Sequence, residues 1–399
     1  YVVGLDETIV DVIANVNDDF LARHKVTKGL SNLVDHETAT NIYAELVAQS
    51  SISDHFAGGT IGNTLHNYSV LADDKSVLLG VMSSNIQLGS PAYHYICHTS
   101  SKVDMNHLQG VPGDIGRGIT LITEDGERTF AIAPGDMDEL NKENIPDEII
   151  SHAAAFVACA YPVRHQDKPI HQAMLTAIAS ANKHNVPVVL TLGTQHLVSD
   201  NRDLLMSLIE KSVDVLAMNE LEAEALTGYD DPLQAADYIL DFVDMVLITA
   251  GPHGLYLCGH TSAELARETS NPIKSDSLED FNLYEFSRPM KRSDCHAPIK
   301  VFSHIDPYMG GPENIKNTNG AGDGALSALL HDISANYFHR SAVPNSSKHR
   351  ADFLCYSSFA QICKYSNRVS YEILAQNAPR LSRGLPERED SLEESYWEG

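Results

Sequence analysis

The sequence predicts an α/β fold: a doubly wound, mostly parallel sheet with helices on both faces, carrying a small β-sheet lid. Three observations predict it. From residue 153 onward, short apolar runs alternate with amphipathic stretches, the pattern of strands and crossover helices. Between Ile119 and Ala133, two alternating runs flank Thr123 to Arg128 with its Asp125-Gly126 pair, the signal of an antiparallel hairpin that projects from such a sheet. Three polar motifs also follow predicted strands, at the edge where open α/β sheets bind ligands.

Taken in order, Tyr1-Val2-Val3-Gly4-Leu5 reads as a strand, and an upstream segment is expected because the chain opens inside it. Residues 12–36 are polar with weak strand character and join residues 115–135 as the lid. Ala39 to Gln49 reads as a helix. Phe56 to Asn63 is a glycine-rich turn, followed by a helix from Thr64 to Ala72 and a buried strand over Val77 to Met82. Strands then fall at Ala153–Ala160, Val186–Leu192, Val213–Met218 and Met245–Thr249. Between them lie helices at Ile170–His184, Arg202–Lys211, Leu221–Leu226 and Leu233–Phe242. Residues 258–312, with Pro272, Pro289, Pro298, Pro307 and Pro312, break the rhythm and read as an insertion, and residues 336–350 as a second. A helical pattern returns over 355–375. The acidic, polar stretch 376–399 reads as a tail, exposed or laid on a neighbouring subunit. No internal repeat is visible.

The chain has 399 residues, 43% hydrophobic and 21% charged, enough for a large core with a smaller lobe. A formal charge of −26 leaves no basic footprint for nucleic acid and disfavours anionic membrane surfaces. The six cysteines are scattered without a Cys-x-x-Cys pair, as expected of reduced thiols in a cytoplasmic protein. No run approaches the roughly 20 apolar residues of a membrane span.

Among the motifs, Asn317-Thr318-Asn319-Gly320-Ala321-Gly322-Asp323 precedes an apolar helix carrying Leu326, Leu329 and Leu330 on one face. Glycines let the backbone approach a ligand, and the free amides of a helix start hold anions. Asp323 would repel a phosphate there, unless it takes a proton from a hydroxyl attacking that phosphate. A glycine turn with Asp as N-cap reads equally well from this stretch alone. Asn219-Glu220-Leu221-Glu222 could orient the water shell of Mg²⁺, or simply cap a helix. Thr249-Ala250-Gly251-Pro252-His253-Gly254 could pass a nucleotide close to the backbone, or be a strand-end turn. Gly58 and Gly59 could admit a sugar, with Asn63 bonding a hydroxyl, and Asp11 suits a vicinal diol. Arg128 in the hairpin could swing over a transferred phosphate, or lie on the surface. The P-loop, protein-kinase, His-Glu-x-x-His and first-strand dinucleotide signatures are absent. His94 and His98 lack further ligands and read as a surface pair rather than a metal site.

Early Gly58-Gly59, Asn219-x-x-Glu222, Thr249-x-Gly251-x-x-Gly254 and late Gly320-Ala321-Gly322-Asp323 occur here in the order of the ribokinase/phosphofructokinase-B family of carbohydrate and nucleoside kinases, which the chain resembles over about residues 1–375. Thr318 to Asp323 looks like its adenosine-kinase branch. His55 to Thr64, Ala217 to Glu220, Ser303 to Ile305 and Arg383 to Ser391 extend the likeness nearly end to end among its nucleoside kinases. The resemblance implies a ribokinase-like fold and transfer of the ATP γ-phosphate to the 5′-hydroxyl of inosine or guanosine. It implies Asp323 as base and Gly320, Ala321 and Gly322 as anion hole. Asp11, Gly58, Gly59 and Asn63 would hold the sugar; Asn219, Thr249, Gly251 and Gly254 the nucleotide; and Glu222 the Mg²⁺, through water. Nucleoside and ATP are the expected partners, and a homodimer the expected assembly. Asn317 stands where the family usually has Asp, near its monovalent-cation region, so a need for K⁺ is left open. A sugar kinase, an adenosine kinase and a non-catalytic nucleoside-binding protein are the alternatives.

Overall fold

The computed structural model describes residues 1–269, 278 and 281–385. Its strands are β1 (Val2–Leu5), β2 (Ile9–Asn15), β3 (Ser31–Leu33), β4 (Ile52–Ala57), β5 (Ser76–Leu79), β6 (Val81–Ser83), β7 (Val103–Asp104), β8 (Gln109–Val111), β9 (Gly116–Ile122), β10 (Arg128–Ala133), β11 (Phe156–Cys159), β12 (Val188–Thr191), β13 (Val215–Asn219), β14 (Met245–Thr249), β15 (Leu255–Ser262) and β16 (Pro298–Ile305). Nine of them form one sheet in the order β16-β15-β14-β13-β12-β11-β1-β5-β7. From β14 to β7 every pairing is parallel, and β15 and β16 are added antiparallel. β1, β5 and β11 are buried at every residue, as strands covered by helices on both faces must be. This is the predicted doubly wound α/β architecture. Among the described residues no helix is long and apolar enough to cross a membrane.

The lid is a five-stranded sheet in the order β3-β10-β9-β2-β4. The Asp125-Gly126 signal is realised as an antiparallel β9–β10 hairpin, closing from Ile122 opposite Arg128, with Gly126 at φ +83°. The lid starts earlier than expected, at Ile9, and takes in Ile52–Ala57, which sequence reading placed at the edge of a glycine turn. Residues 12–36 also hold a helix, Asp18–Arg23, capped by Asn17.

Four further expectations are corrected. The buried run at 77–82 is two strands, because the chain turns at Gly80, where a Cβ would lie 2.8 Å from the Asp6 carbonyl, and β6 leaves to pair with β8. The segment 258–312 is not wholly an insertion. Its ends belong to β15 and β16, paired over eight residues. Pro298 and the buried polar residues His260, Thr261, Ser262 and Ser303 disguise the strand pattern. The stretch 336–350 is helical as far as Ala342, at the end of Ala321–Ala342; exposed Tyr337 and Phe338 disguise its outer face. Finally, residues 376–381 are not tail. Leu381 is buried, its amide donates to Asn67 Oδ1 at 2.8 Å, and its carbonyl lies 2.8 Å from His66 Nε2. Residues 386–399 of that stretch lie outside the described residues.

Candidate active site

The helix Ala321–Ala342 begins where Gly320 adopts φ +82°. A Cβ on Gly320 would lie 2.7 Å from the Pro379 carbonyl oxygen, so only glycine fits. The amides of Ala321, Gly322 and Asp323 have no acceptor one turn earlier, and among the described residues no side chain supplies one. The start of this helix, with free amides and a positive dipole, is therefore able to hold an anion.

Asp323 sits in that first turn, half-buried. Its Oδ2 accepts from Asn63 Nδ2 at 2.9 Å. Removal from water pushes its carboxyl up to about 7, against the pull of the Asn63 bond and the Arg380 charge, with Glu222 adding a small push. Asn63 is not in a loop, as the sequence suggested. The helix runs Thr60–Ala72, starting four residues early because Gly59 takes φ +86° as its N-cap. Asp6, fully buried just beyond β1, holds this turn by accepting from the Gly62 amide at 2.7 Å, and a Cβ on Gly59 would overlap its Oδ2. Burial raises Asp6 to about 8.

Asp11 lies inside β2 of the lid rather than after the first strand, facing Gly118 of β9 in register. A Cβ on Gly118 would come within 2.8 Å of Asp11 Oδ1, and one on Gly58 would overlap Oδ2. Among the described residues no group donates a hydrogen bond to this carboxylate, which burial raises to about 6 while Arg380 pulls it down. Two glycines thus cradle an acceptor with capacity to spare.

On the other side of Asp323 opens a cavity of about 830 Å³, lined by Asn219, Glu222, Thr249, Gly251, Gly254 and Gly320–Asp323. Asn219 and Thr249 are register partners on β13 and β14. Asn219 and Glu222 form a complete capping box. Asn219 Oδ1 accepts from the Glu222 amide at 2.9 Å, while Glu222 accepts from the Asn219 amide at 3.1 Å and from Nδ2 at 2.8 Å. Burial pushes Glu222 up to about 7, against those bonds. Gly254 takes φ +86°, and a Cβ there would overlap the Ile305 carbonyl. Among the described residues no three His, Cys, Asp or Glu gather to hold a metal directly. His94 and His98 instead continue a ring stack from His55.

A larger cleft, about 1510 Å³, opens beneath the lid between Ser31, Ile132, Arg117, Tyr161 and Arg164. Tyr161 lies near enough to Asp323 to feel its charge. Arg128 is not brought here. It is exposed at the far end of the hairpin, opposite Ile122, whereas Arg117 pairs with Ala133 at the near end. The cations lining the cleft include Arg117, stacked over Tyr43 at 4.6 Å, Arg164, bonded to Glu7 at 2.6 Å, and Lys168. Sequence reading missed the two arginines, Asp6 and Arg380. Asp6 carried a signal, a carboxylate closing the first strand; the arginines carried none. Asn317 donates to the Asn377 carbonyl at 2.7 Å and accepts from the Asn319 amide at 2.9 Å. An Asp could make only the second bond, which accounts for the amide.

The buried acids carry a pH signature. Asp6 is raised to about 8, and Glu7, Glu222 and Asp323 to about 7, all chiefly by burial. Unfolded carboxyls titrate near about 4, so the folded state holds extra protons in between and stability falls as pH rises through that range. His55 and His66, pushed down to about 4 by burial, act in the opposite sense, but only below the ordinary histidine value of about 6.5. Above about pH 6.5 the opposing histidine effect is over, and the carboxyls lower stability up to about pH 8. The thermal midpoint of the ligand-free protein is expected to fall across that window. A midpoint that rises would contradict the burial of these acids.

The family model described as pfkB family carbohydrate kinase matches residues 34–273. The guanosine-inosine kinase of Escherichia coli K12 is 58% identical over 399 residues, all of this chain and 92% of that protein. In fold, a probable sugar kinase from Rhizobium etli aligns with a TM-score of 0.68 at 20% identity, covering 96% of both chains. The adenosine kinase of Sinorhizobium meliloti aligns at 0.65, also with 20% identity and 96% of both chains.

Proposed function

The chain belongs to the pfkB family of carbohydrate kinases, and we propose that within it the chain is an ATP-dependent nucleoside kinase phosphorylating the 5′-hydroxyl of guanosine and inosine. The observation that carries this reading is Asp323, a carboxylate in the first turn of a helix whose amides are free, bonded to Asn63 at 2.9 Å. A pure binding site for phosphate has no use for a carboxylate there. The 58% identity to a guanosine-inosine kinase along the whole chain supports the acceptor.

The nucleoside enters the cleft beneath the lid, its ribose against Asp11 and the Gly58–Gly59 turn. The nucleotide occupies the cavity beside Thr249, Gly251 and Gly254. The 5′-oxygen attacks the γ-phosphorus in line. An O–P bond forms as the bond to the bridging oxygen breaks, and ADP leaves. Asp323 takes the hydroxyl proton late, as a loose transition state allows. The amides of Ala321, Gly322 and Asp323 receive the phosphoryl charge. Bound with ATP, Mg²⁺ would neutralise charge between the β- and γ-phosphates; Glu222, whose oxygens keep spare acceptor sites beside Asn219, would hold it through water. The lid excludes water, the competing acceptor.

The test is ADP release with ATP and Mg²⁺, comparing inosine, guanosine, adenosine and ribose. Turnover with inosine and guanosine, and little with the others, is expected. Turnover confined to adenosine or ribose would overturn the acceptor, and silence with all four would overturn the catalytic reading.

A further inference from the structure

We infer that Arg380 is a positioning residue for the base, locking the side-chain amide of Asn63 so that its NH₂ group, and not its oxygen, faces Asp323. The inference rests on the reading of Asp323 as the base. Arg380 is only 6% exposed, although it lies 317 residues from Asn63 in the chain. Its Nε donates to Asn63 Oδ1 at 2.9 Å, and its Nη2 to the Gly58 carbonyl at 2.9 Å. Its Nη1 donates to Thr99 Oγ1 at 2.8 Å and to the His98 carbonyl at 3.4 Å. The guanidinium lies 5.3 Å from the Tyr95 ring centroid.

The lock follows from donor and acceptor chemistry. The two ends of an asparagine amide are nearly the same size, so sterics alone do not choose between them. A guanidinium only donates, so only the oxygen of Asn63 can face it. The NH₂ group must then point the other way, where it meets Asp323 Oδ2 at 2.9 Å. Flipped, the amide oxygen would face the carboxylate and repel it. Among the described residues nothing donates to Asp323 Oδ1. One oxygen of the base is pinned and the other is left for the incoming proton. Because Nη2 holds the Gly58 carbonyl, the same side chain ties the glycine turn to the base.

Arg380 has a second lever, its charge. Among the described residues it forms no ion pair with a carboxylate, yet Asp323 and Asp11 both feel it. The other charged or titratable groups facing Asp323 are Glu222 from the helix Glu220–Thr227, Asp6 from the end of β1, and Tyr161. Among the described residues Arg380 is the one cation in this set.

The experiment compares pH–kcat profiles of the wild type with Arg380→Gln and Arg380→Lys, with folding followed by thermal melting. Arg380→Gln removes charge and fork together. It is expected to lower kcat about tenfold to a hundredfold, as misplaced catalytic groups do. It should also move the acid limb of the profile up by about one pH unit, the usual reach of a nearby opposite charge. Arg380→Lys keeps the charge without the fork, so kcat should fall while the acid limb stays in place. An unmoved acid limb in Arg380→Gln, with or without a lower melting point, would overturn the inference. If Arg380→Gln does not fold, Arg380→Lys decides, and a native kcat there overturns it. Failure of the base itself is read separately, as native turnover in Asp323→Asn.

Discussion

Asp323→Asn is expected to lower kcat by a factor on the order of 10² to 10⁴, the usual worth of a positioned general base. The asparagine is nearly isosteric, and the anion site of Ala321 and Gly322 is backbone, so ATP should bind close to normally. The loss should therefore fall on kcat and leave the KM for ATP within a few-fold of the wild type. One local rearrangement is expected. The NH₂ group of Asn63, which donates to Asp323 at 2.9 Å, would meet an amide in place of a carboxylate. That change is small beside the loss of a proton acceptor. Steady-state kinetics with saturating guanosine or inosine measures it. Near-native turnover would remove Asp323 from the chemistry.

Gly320→Ala is expected to damage both activity and stability. At φ +82° an alanine costs roughly 1–2 kcal/mol in backbone conformation. Its Cβ would also stand 2.7 Å from the Pro379 carbonyl oxygen, and backbone cannot swing aside as a side-chain tip can. Relief must come from moving the helix start or the 376–381 segment. The first displaces the free amides and Asp323, and the second displaces Arg380. A loss in kcat of about 10²-fold, as for a misplacement of about 1 Å, is expected. Destabilisation should be on the order of 1–3 kcal/mol, read by denaturant unfolding. Gly322→Ala is the control. Its Cβ would find only Thr249 Oγ1, at 4.0 Å, so the fold should survive and the effect should fall on the KM for ATP. Equal stability losses in the two variants would contradict this account of Gly320.

Both variants belong to a stretch that was legible as sequence. Two glycines around an alanine, an aspartate and an apolar run specify a helix start with free amides, and a helix start is local. The same holds for the Asn219–Glu222 capping box, formed as its spacing allows, and for the Asp125-Gly126 hairpin. The parallel strands from β11 to β14 announced themselves through continuous apolar runs, because a strand covered on both faces needs nothing else. In each case the information lies within a few residues.

What the sequence alone determined about this protein is therefore its alternating α/β plan, its projecting hairpin and the helix start that carries Asp323. Only the tertiary structure decided what surrounds that aspartate. Arg380 reads as an unremarkable residue near a polar terminus until Leu381 is buried against Asn67 and draws it inward. Asp11 is an ordinary loop-like aspartate until β2 and β9 align it with Gly118. Arg128 sits in the right hairpin at the wrong end, because strand direction and register, not proximity in sequence, choose which arginine reaches the cleft. β15 and β16 hide behind buried serines and a proline until each satisfies the other's backbone. The physical reason is common to all four. Propensity, capping and turn chemistry act over a handful of residues, whereas burial of a charge or a polar strand becomes favourable only when partners distant in sequence arrive together.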